Sequence, residues 1–265
     1  MAETPGTEKT LKYLLLILIP VIFFFVIRFF SVSAPGVPPE SAATAQPAVT
    51  EIPIPAGRVL AGTIWSFALA AAGRDADTIL IPNFRQASSS ARIRETYNCK
   101  ILINGGFYTT DHKPLGYFAA GPDILSSPQS NQLINGYIWR SGDIHGIGSE
   151  LPEDPVDWAF QTGPILLSQE SRLPLIIRND EPSRRSVAAV DNNGQLILLS
   201  VFGSTQMYSG PLLGELPGVI YDIGIQESRR FVSAVNLDGG SASAFVSRDA
   251  SLSEISIVGS FICVR

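Results

Sequence analysis

The sequence is poor in the residues that build metal centres and cross-linked scaffolds. It holds two cysteines, Cys99 and Cys263, and two histidines, His112 and His145. Two cysteines exclude a disulfide-dense framework and a four-cysteine zinc site, and two histidines exclude a three-histidine centre. Charge is scarce as well. Charged residues make up 16% of the chain against 45% hydrophobic, the reverse of a disordered polypeptide. Nor is there a basic excess: 19 Lys and Arg face 24 Asp and Glu, for a formal charge of -5. No nucleic-acid partner is expected, because replacing phosphate counterions needs a basic surface. No residue spacing makes a metal site, and no cofactor is expected.

What the chain does have is an apolar N-terminus. The mean hydropathy of +0.21 points to a membrane segment. Every residue from Tyr13 to Ile27 is apolar or aromatic apart from Pro20, and Phe29, Phe30 and Val32 extend the run past Arg28. Residues 11–32 are long enough, at about 1.5 Å per residue, to cross a hydrocarbon core of about 30 Å. Arg28 lies near the far end, where its stem can carry the charge to the interface. Lys9 and Lys12 flank the start and favour a cytoplasmic N-terminus, with the remainder exported. A cleaved signal peptide is the alternative, since Val32-Ser33-Ala34 has the small-residue pattern of a cleavage site; Pro35 directly after it disfavours the cut. Both readings send the domain across the membrane. The expected organisation is a short tail (1–10), a signal-anchor (11–32), a Pro- and Ala-rich linker (33–55) and one globular domain (56–265).

The globular part reads as strands with few helices. Residues 63–69 alternate as a half-buried strand does. Further strands are expected at 78–81, 100–103, 137–140, 165–167, 186–191, 234–237, 244–246 and 260–264. Asn192-Asn193-Gly194 is a hairpin turn into a strand over 195–202, with Asp191 opening the turn. A helix is expected over 88–97, with a serine cap. A second is expected near Pro211, broken at Pro217-Gly218. His112 and His145, in polar or Gly-rich contexts, are expected on surface loops, and Glu227 and Arg229-Arg230 in a solvated connection. The class is α+β: a single domain with one large mixed, mostly antiparallel sheet, preceded by one transmembrane helix.

One local device occurs twice. Ile103-Asn104-Gly105-Gly106 and Leu237-Asp238-Gly239-Gly240 each place a polar side chain and two glycines after an apolar strand. The sheet holds the side chain rigidly, and the glycines admit φ > 0 and close approach to the main chain. Successive N–H groups in such a turn can bind an anion. The plain alternative is that Asn-Gly and Asp-Gly are simply good turns.

Asn104-Gly105-Gly106-Phe107-Tyr108 resembles the NGGFF signature of the phosphodiester glycosidase family. Three further stretches are similar in order and spacing. Gln161-Thr162-Gly163-Pro164-Ile165-Leu166 resembles the family's G-P-x-L segment, and Arg185 to Asp191 resembles R-T-A-V-G-I-D. Asn236-Leu237-Asp238-Gly239-Gly240-Ser241 resembles N-L-D-G-G-G. Departures are Ser241 and Ala189 in place of glycine and Ser186 in place of threonine, which keeps the hydroxyl.

The resemblance implies hydrolysis of a sugar-1-phosphodiester between the anomeric carbon and phosphate. Glycosidases commonly use a carboxylic acid to protonate the leaving oxygen and a carboxylate as nucleophile or base. Phosphate leaves as an anion, so it needs positive charge and N–H donors more than a proton. On this reading Asp238 is the nucleophile or general base, Arg185 grips phosphate with its planar fork, and Asn104 orients a sugar hydroxyl or water. Arg184 and Lys113 are secondary cations. Gly105, Gly106, Phe107, Gln161, Thr162, Gly163, Gly239, Gly240 and Ser241 are candidate substrate contacts. The partner is then a carbohydrate or phosphoglycan of the cell envelope. Two other readings stay open: a non-catalytic glycan- or phosphoglycan-binding module, and a structural domain of an envelope assembly. Cys99 and Cys263 are either a disulfide or two buried thiols.

Overall fold

A computed structural model describes residues 57–265. The expected tail, signal-anchor and linker lie outside the described residues. Among the described residues no helix is long and apolar enough to cross a membrane.

Three antiparallel sheets and two helices make up the domain. The strands run β1 (Arg58–Leu60), β2 (Thr63–Ala71) and β3 (Thr78–Pro82), followed by helix α1 (Ser90–Tyr97). Then come β4 (Ile101–Asn104), β5 (Phe118–Ala120), β6 (Asp123–Ser126), β7 (Gly136–Ser141), β8 (Ile144–Gly148), β9 (Trp158–Thr162), β10 (Ile165–Ser168) and β11 (Ser171–Arg172). The hairpin β12 (Arg185–Asp191) and β13 (Leu196–Gly203) leads to helix α2 (Leu216–Gln226) and β14 (Phe231–Asn236). The chain closes with β15 (Phe245–Val246), β16 (Ser251–Leu252) and β17 (Ser260–Val264). The seven-stranded sheet has the order β1-β2-β13-β12-β14-β10-β11, and the five-stranded sheets are β16-β15-β4-β17-β3 and β6-β5-β9-β7-β8.

The central strands of the large sheet, β12 and β13, are buried on both faces. Ala188, Leu196, Leu198 and Val235 join Ile103, Phe118, Ile138, Phe160 and Ile262 in a core shared by all three sheets. The alternate residues Val187, Ala189, Ile197 and Leu199 pack against Leu216, Val219, Ile220 and Ile223 of α2. This is why 196–202 reads as an almost unbroken apolar run, with no polar face to alternate. Helix α1 covers a third cluster through Ile93, against Leu102 and Phe261.

Local signals place most elements where the sequence puts them. Ser89 caps α1, accepting from Arg92 N, and Asn98 closes it in the left-handed region. The carboxylate of Asp191 accepts from the N–H of Asn193 and Gln195 and so shapes the hairpin turn.

Several expectations are corrected. The single mixed sheet is three sheets, and every strand pair among the described residues is antiparallel. Pairing partners are non-local and leave no periodic trace. Pro217 does not break a helix: α2 begins at Leu216, with the proline in its first turn, where its missing N–H costs nothing. His145 is not on a surface loop. It is buried in β8, with Nε2 2.7 Å from Thr78 Oγ1. Burial, aided by Arg140, lowers its pKa to about 4. Arg229 is not merely solvated, for it pairs at 3.1 Å with the buried Asp191.

Cys99, just past α1, and Cys263, in β17, form a disulfide with a Cα–Cα distance of 5.4 Å. It closes a loop across a sequence separation of 164. Removing both cysteines is expected to cost about 2–5 kcal/mol of stability. Thiol labelling should add mass only after reduction, and full labelling of the unreduced chain would contradict the cross-link.

Candidate functional site

The two glycine turns meet. Asn104, the last residue of β4, is fully buried. Its Nδ2 donates to Asp238 O at 2.6 Å and to Gly105 O at 3.2 Å. Its Oδ1 accepts from Ser186 Oγ at 2.6 Å and from Ala244 N at 3.0 Å. Ser186 Oγ also lies 2.7 Å from Ser243 Oγ. The Asp238 N–H returns to Gly105 O at 3.0 Å. One amide thus joins the ends of β4 and β12 to the turn after β14.

The glycines serve packing. A Cβ on Gly105 would sit 2.3 Å from Ser260 Oγ, one on Gly106 2.8 Å from the Phe160 ring, and one on Gly239 2.9 Å from Arg184 O. Only Gly240 of the four adopts positive φ, at 60°. The anion-binding reading of these N–H groups is corrected for three of them. Gly105 N donates to Ser260 O and Gly240 N to Arg184 O, while Gly239 N donates to Asp238 Oδ1.

Asp238 itself is half-buried. Its carboxylate accepts one bond, from Gly239 N at 2.9 Å. Burial raises its pKa from 3.8 to about 7, against the opposing effect of that bond. A group that titrates near neutrality can take and return a proton without a large driving force. Tyr108 lies within electrostatic reach of it: burial first, then the Asp238 charge, raises the tyrosine pKa, with a hydrogen bond to Ser256 opposing.

The neighbouring arginines face different ways, as successive strand residues do. Arg185 donates from Nε to Pro211 O at 3.0 Å and from Nη2 to Glu181 O at 2.7 Å, with Asp180 Oδ1 at 3.4 Å. Its Cδ comes within 4.0 Å of a Cβ built on Gly239. Arg184 is fully buried behind the turn. Its Nη2 donates to Ser243 O and to Ser253 O, the latter at 2.6 Å. Its guanidinium lies 4.8 Å from the Tyr208 ring centre, and Nε has no partner among the described residues.

The other expected contacts divide in two. Gln161 is structural, with Oε1 accepting from Tyr117 N and Gln129 N and Nε2 donating to Gln129 O and Ile134 O. Thr162 Oγ1 donates to Asn236 O, and Gly163 O accepts from Asn236 Nδ2. These bonds fasten the β9–β10 connection to β14. Phe107 is half-buried, while Ser241, His112 and Lys113 are exposed. His112 stacks on Tyr108 with centroids 6.1 Å apart. The sequence gives no sign that Ser243 and Ser260 belong to this region, and of Tyr108 only that it follows the first glycine turn. Nothing in a lone serine marks it as the partner of a distant turn. The cleft of about 360 Å³ lined by Arg74, Asp143, His145 and Asn193 lies at the opposite end of the β12–β13 hairpin.

Antiparallel sheets thus carry two strand-end turns that meet, with the half-buried Asp238 carboxylate on one of them. Residues 97–261 match the phosphodiester glycosidase family, and the chain belongs to that family. Among solved structures it is similar to the zebrafish N-acetylglucosamine-1-phosphodiester alpha-N-acetylglucosaminidase catalytic domain auto-inhibited by its pro-peptide. The TM-score is 0.61 at 16% identity, covering 79% of this chain and 81% of that one. It is also similar to a Burkholderia pseudomallei protein described as exported (TM-score 0.56, 12% identity, 78% and 75% covered). A hypothetical protein from Synechocystis gives a TM-score of 0.53 at 14% identity, covering 78% of this chain and 61% of that one. At these identities the likeness is one of fold. No curated protein matches the chain.

The Asp238 shift makes a stability prediction. Well below its ordinary value of 3.8 the carboxyl is protonated in the folded and unfolded chain alike. From there to about pH 7 only the unfolded chain ionises, so wild-type stability falls relative to Asp238→Asn and then levels. The variant should be more stable by about 2–4 kcal/mol at pH 8 and equal well below pH 3.8, as read by denaturant unfolding. A variant less stable at pH 8 would contradict the buried carboxyl.

Proposed function

We propose that the chain is a membrane-tethered, exported hydrolase that cleaves a sugar-1-phosphodiester at the bond between anomeric carbon and phosphate. The observation that carries this is Asp238, a carboxylate fixed on a half-buried turn, with its pKa raised to about 7 by burial of the carboxyl. Its backbone is held on both sides by Asn104 and Gly105, so its position is set before substrate arrives. It acts on the anomeric carbon as nucleophile, or on water as general base, and the ionised form is the active one.

The phosphate leaves toward positive charge. Arg185 Nη1 has no protein partner among the described residues and keeps two N–H donors for a phosphate oxygen, while Arg184 adds buried charge behind the turn. Asn104 acts through Asp238 rather than on the sugar, because its amide is already bound on both sides. Phe107 and Ser241 stay as sugar contacts, while Gly106 is packed against Phe160. The substrate is a glycan or glycoconjugate of the cell envelope.

The apolar run at 11–32, with Lys9 and Lys12 before it, supports a single-pass anchor with a cytoplasmic N-terminus and an extracytoplasmic domain. The disulfide supports an oxidising destination.

The test uses the full chain in detergent and a panel of sugar-1-phosphodiesters, N-acetylglucosamine first, with free sugar as the readout. Release should rise with pH through about 7. Asp238→Asn should lose about 10²–10⁴-fold in rate. Wild-type turnover by that variant would sink the assignment. Saturable binding without release by the wild type would favour the glycan-binding module.

A further inference from the structure

The segment between β16 and β17, residues 253–258, is held along its length. Arg184 Nη2 donates to Ser253 O, and Glu254 accepts from the N–H and hydroxyl of Ser90 at 2.7 and 2.5 Å. Ile255 N and Ser256 N both donate to Ser241 O, at 2.8 and 3.0 Å. The Ser256 hydroxyl donates to the Ser241 hydroxyl at 3.0 Å, and Asn83 Nδ2 donates to Val258 O. Ile255 and Ile257 turn outward, 65% and 40% exposed. The segment is therefore a strap bound to the Asp238 side of the site and to the start of α1.

One contact ties it to the Asn104 side. The Tyr108 hydroxyl donates to Ile257 O at 2.5 Å. Tyr108 follows directly on Asn104-Gly105-Gly106-Phe107 and lies within electrostatic reach of Asp238. The ring has a shaped seat, since a Cβ on Gly259 would come within 2.9 Å of it. With its pKa raised, the phenol stays a donor throughout the neutral range.

We infer that Tyr108 is a positioning residue: its hydroxyl closes the seam between the two glycine turns by holding the 253–258 strap, whose bonds to Ser241 and Arg184 fix the turn that bears Asp238. The inference rests on reading Asp238 as the reacting carboxylate. The groups around that carboxylate are few. Tyr108, with His112 and Lys113 beyond it, is on the loop after β4, and the Gly239 N–H is on its own turn. Arg184 and Arg185 stand behind it at the head of β12. Glu254, on the strap, is turned to Ser90.

Tyr108→Phe deletes the hydroxyl and keeps the ring. The Asp238 carboxyl is followed by NMR of the full chain labelled with ¹³C-aspartate, its signal assigned by its loss in Asp238→Asn. In Tyr108→Phe its midpoint should fall from about 7 by about half a unit to one unit as the turn loosens and the carboxyl is less buried. With substrate, kcat should drop about 3- to 10-fold, the worth of one hydrogen bond, with KM little changed and the pH profile displaced downward by the same amount. An unmoved Asp238 midpoint overturns the inference whatever the rate does. If the wild type releases no sugar yet the midpoint still moves, the hydrolase reading falls and the hold of Tyr108 on Asp238 stands.

Discussion

The side-chain amide of Asn104 is the bond on which the rest of the site depends. It sits at zero exposure, where an unmet donor or acceptor would be costly. Each of its polar atoms is engaged: the donor by the Asp238 and Gly105 carbonyls, the acceptor by Ser186 and Ala244. Because these partners come from the end of its own strand, from β12 and from the connection between β14 and β15, the amide fixes the relative placement of two sheets. Asp238 inherits its position from this arrangement rather than from its own side chain.

The burial that makes Asp238 useful also works against the fold. A carboxylate with one hydrogen bond, in a site that disfavours its ionised form, lowers stability at neutral pH. The surrounding scaffold offsets this. The disulfide, the packing of α2 on the large sheet and the bonds of the strap all lie outside the chemistry. Polar groups near the turn that lack partners, such as Arg184 Nε and Ser260 Oγ, mark the same compromise between a well-packed interior and a region shaped for something else.

How much of this was legible in the sequence follows from the range over which each signal acts. The serine cap of α1, the Asn-Asn-Gly turn after β12 and the recurrence of a polar residue before two glycines are local, and each was readable. The division into three sheets was not, because residues 101–104 pair with 260–264 and nothing nearby records it. His145 was misplaced for a related reason: its glycine neighbours read as a loop, while Thr78 and Trp158, which enclose it, are distant in sequence. At the site, the sequence brought Asn104, Arg185 and Asp238 together but did not reveal which polar atoms the fold had already claimed. The direction of a strand-end side chain depends on the neighbouring sheet, and the adjacent Arg184 and Arg185 show how one position in register separates a buried clamp from a half-buried fork.

The position of β17 carries a consequence for how the protein comes to be made. This strand lies between β3 and β4 in its sheet, so the strand that ends in Asn104 has no inner neighbour until the final residues of the domain are present. The cysteine pair spans the same interval, 164 positions. A chain emerging from its amino end therefore remains open along that sheet until residues 260–264 have been delivered. Assembly is governed by contacts of long sequence separation, which form slowly. A copy cut short before 260 would lack not only an interior strand but the backing of Asn104 and its hold on Asp238. Delivery of β17 is thereby built into competence of the site.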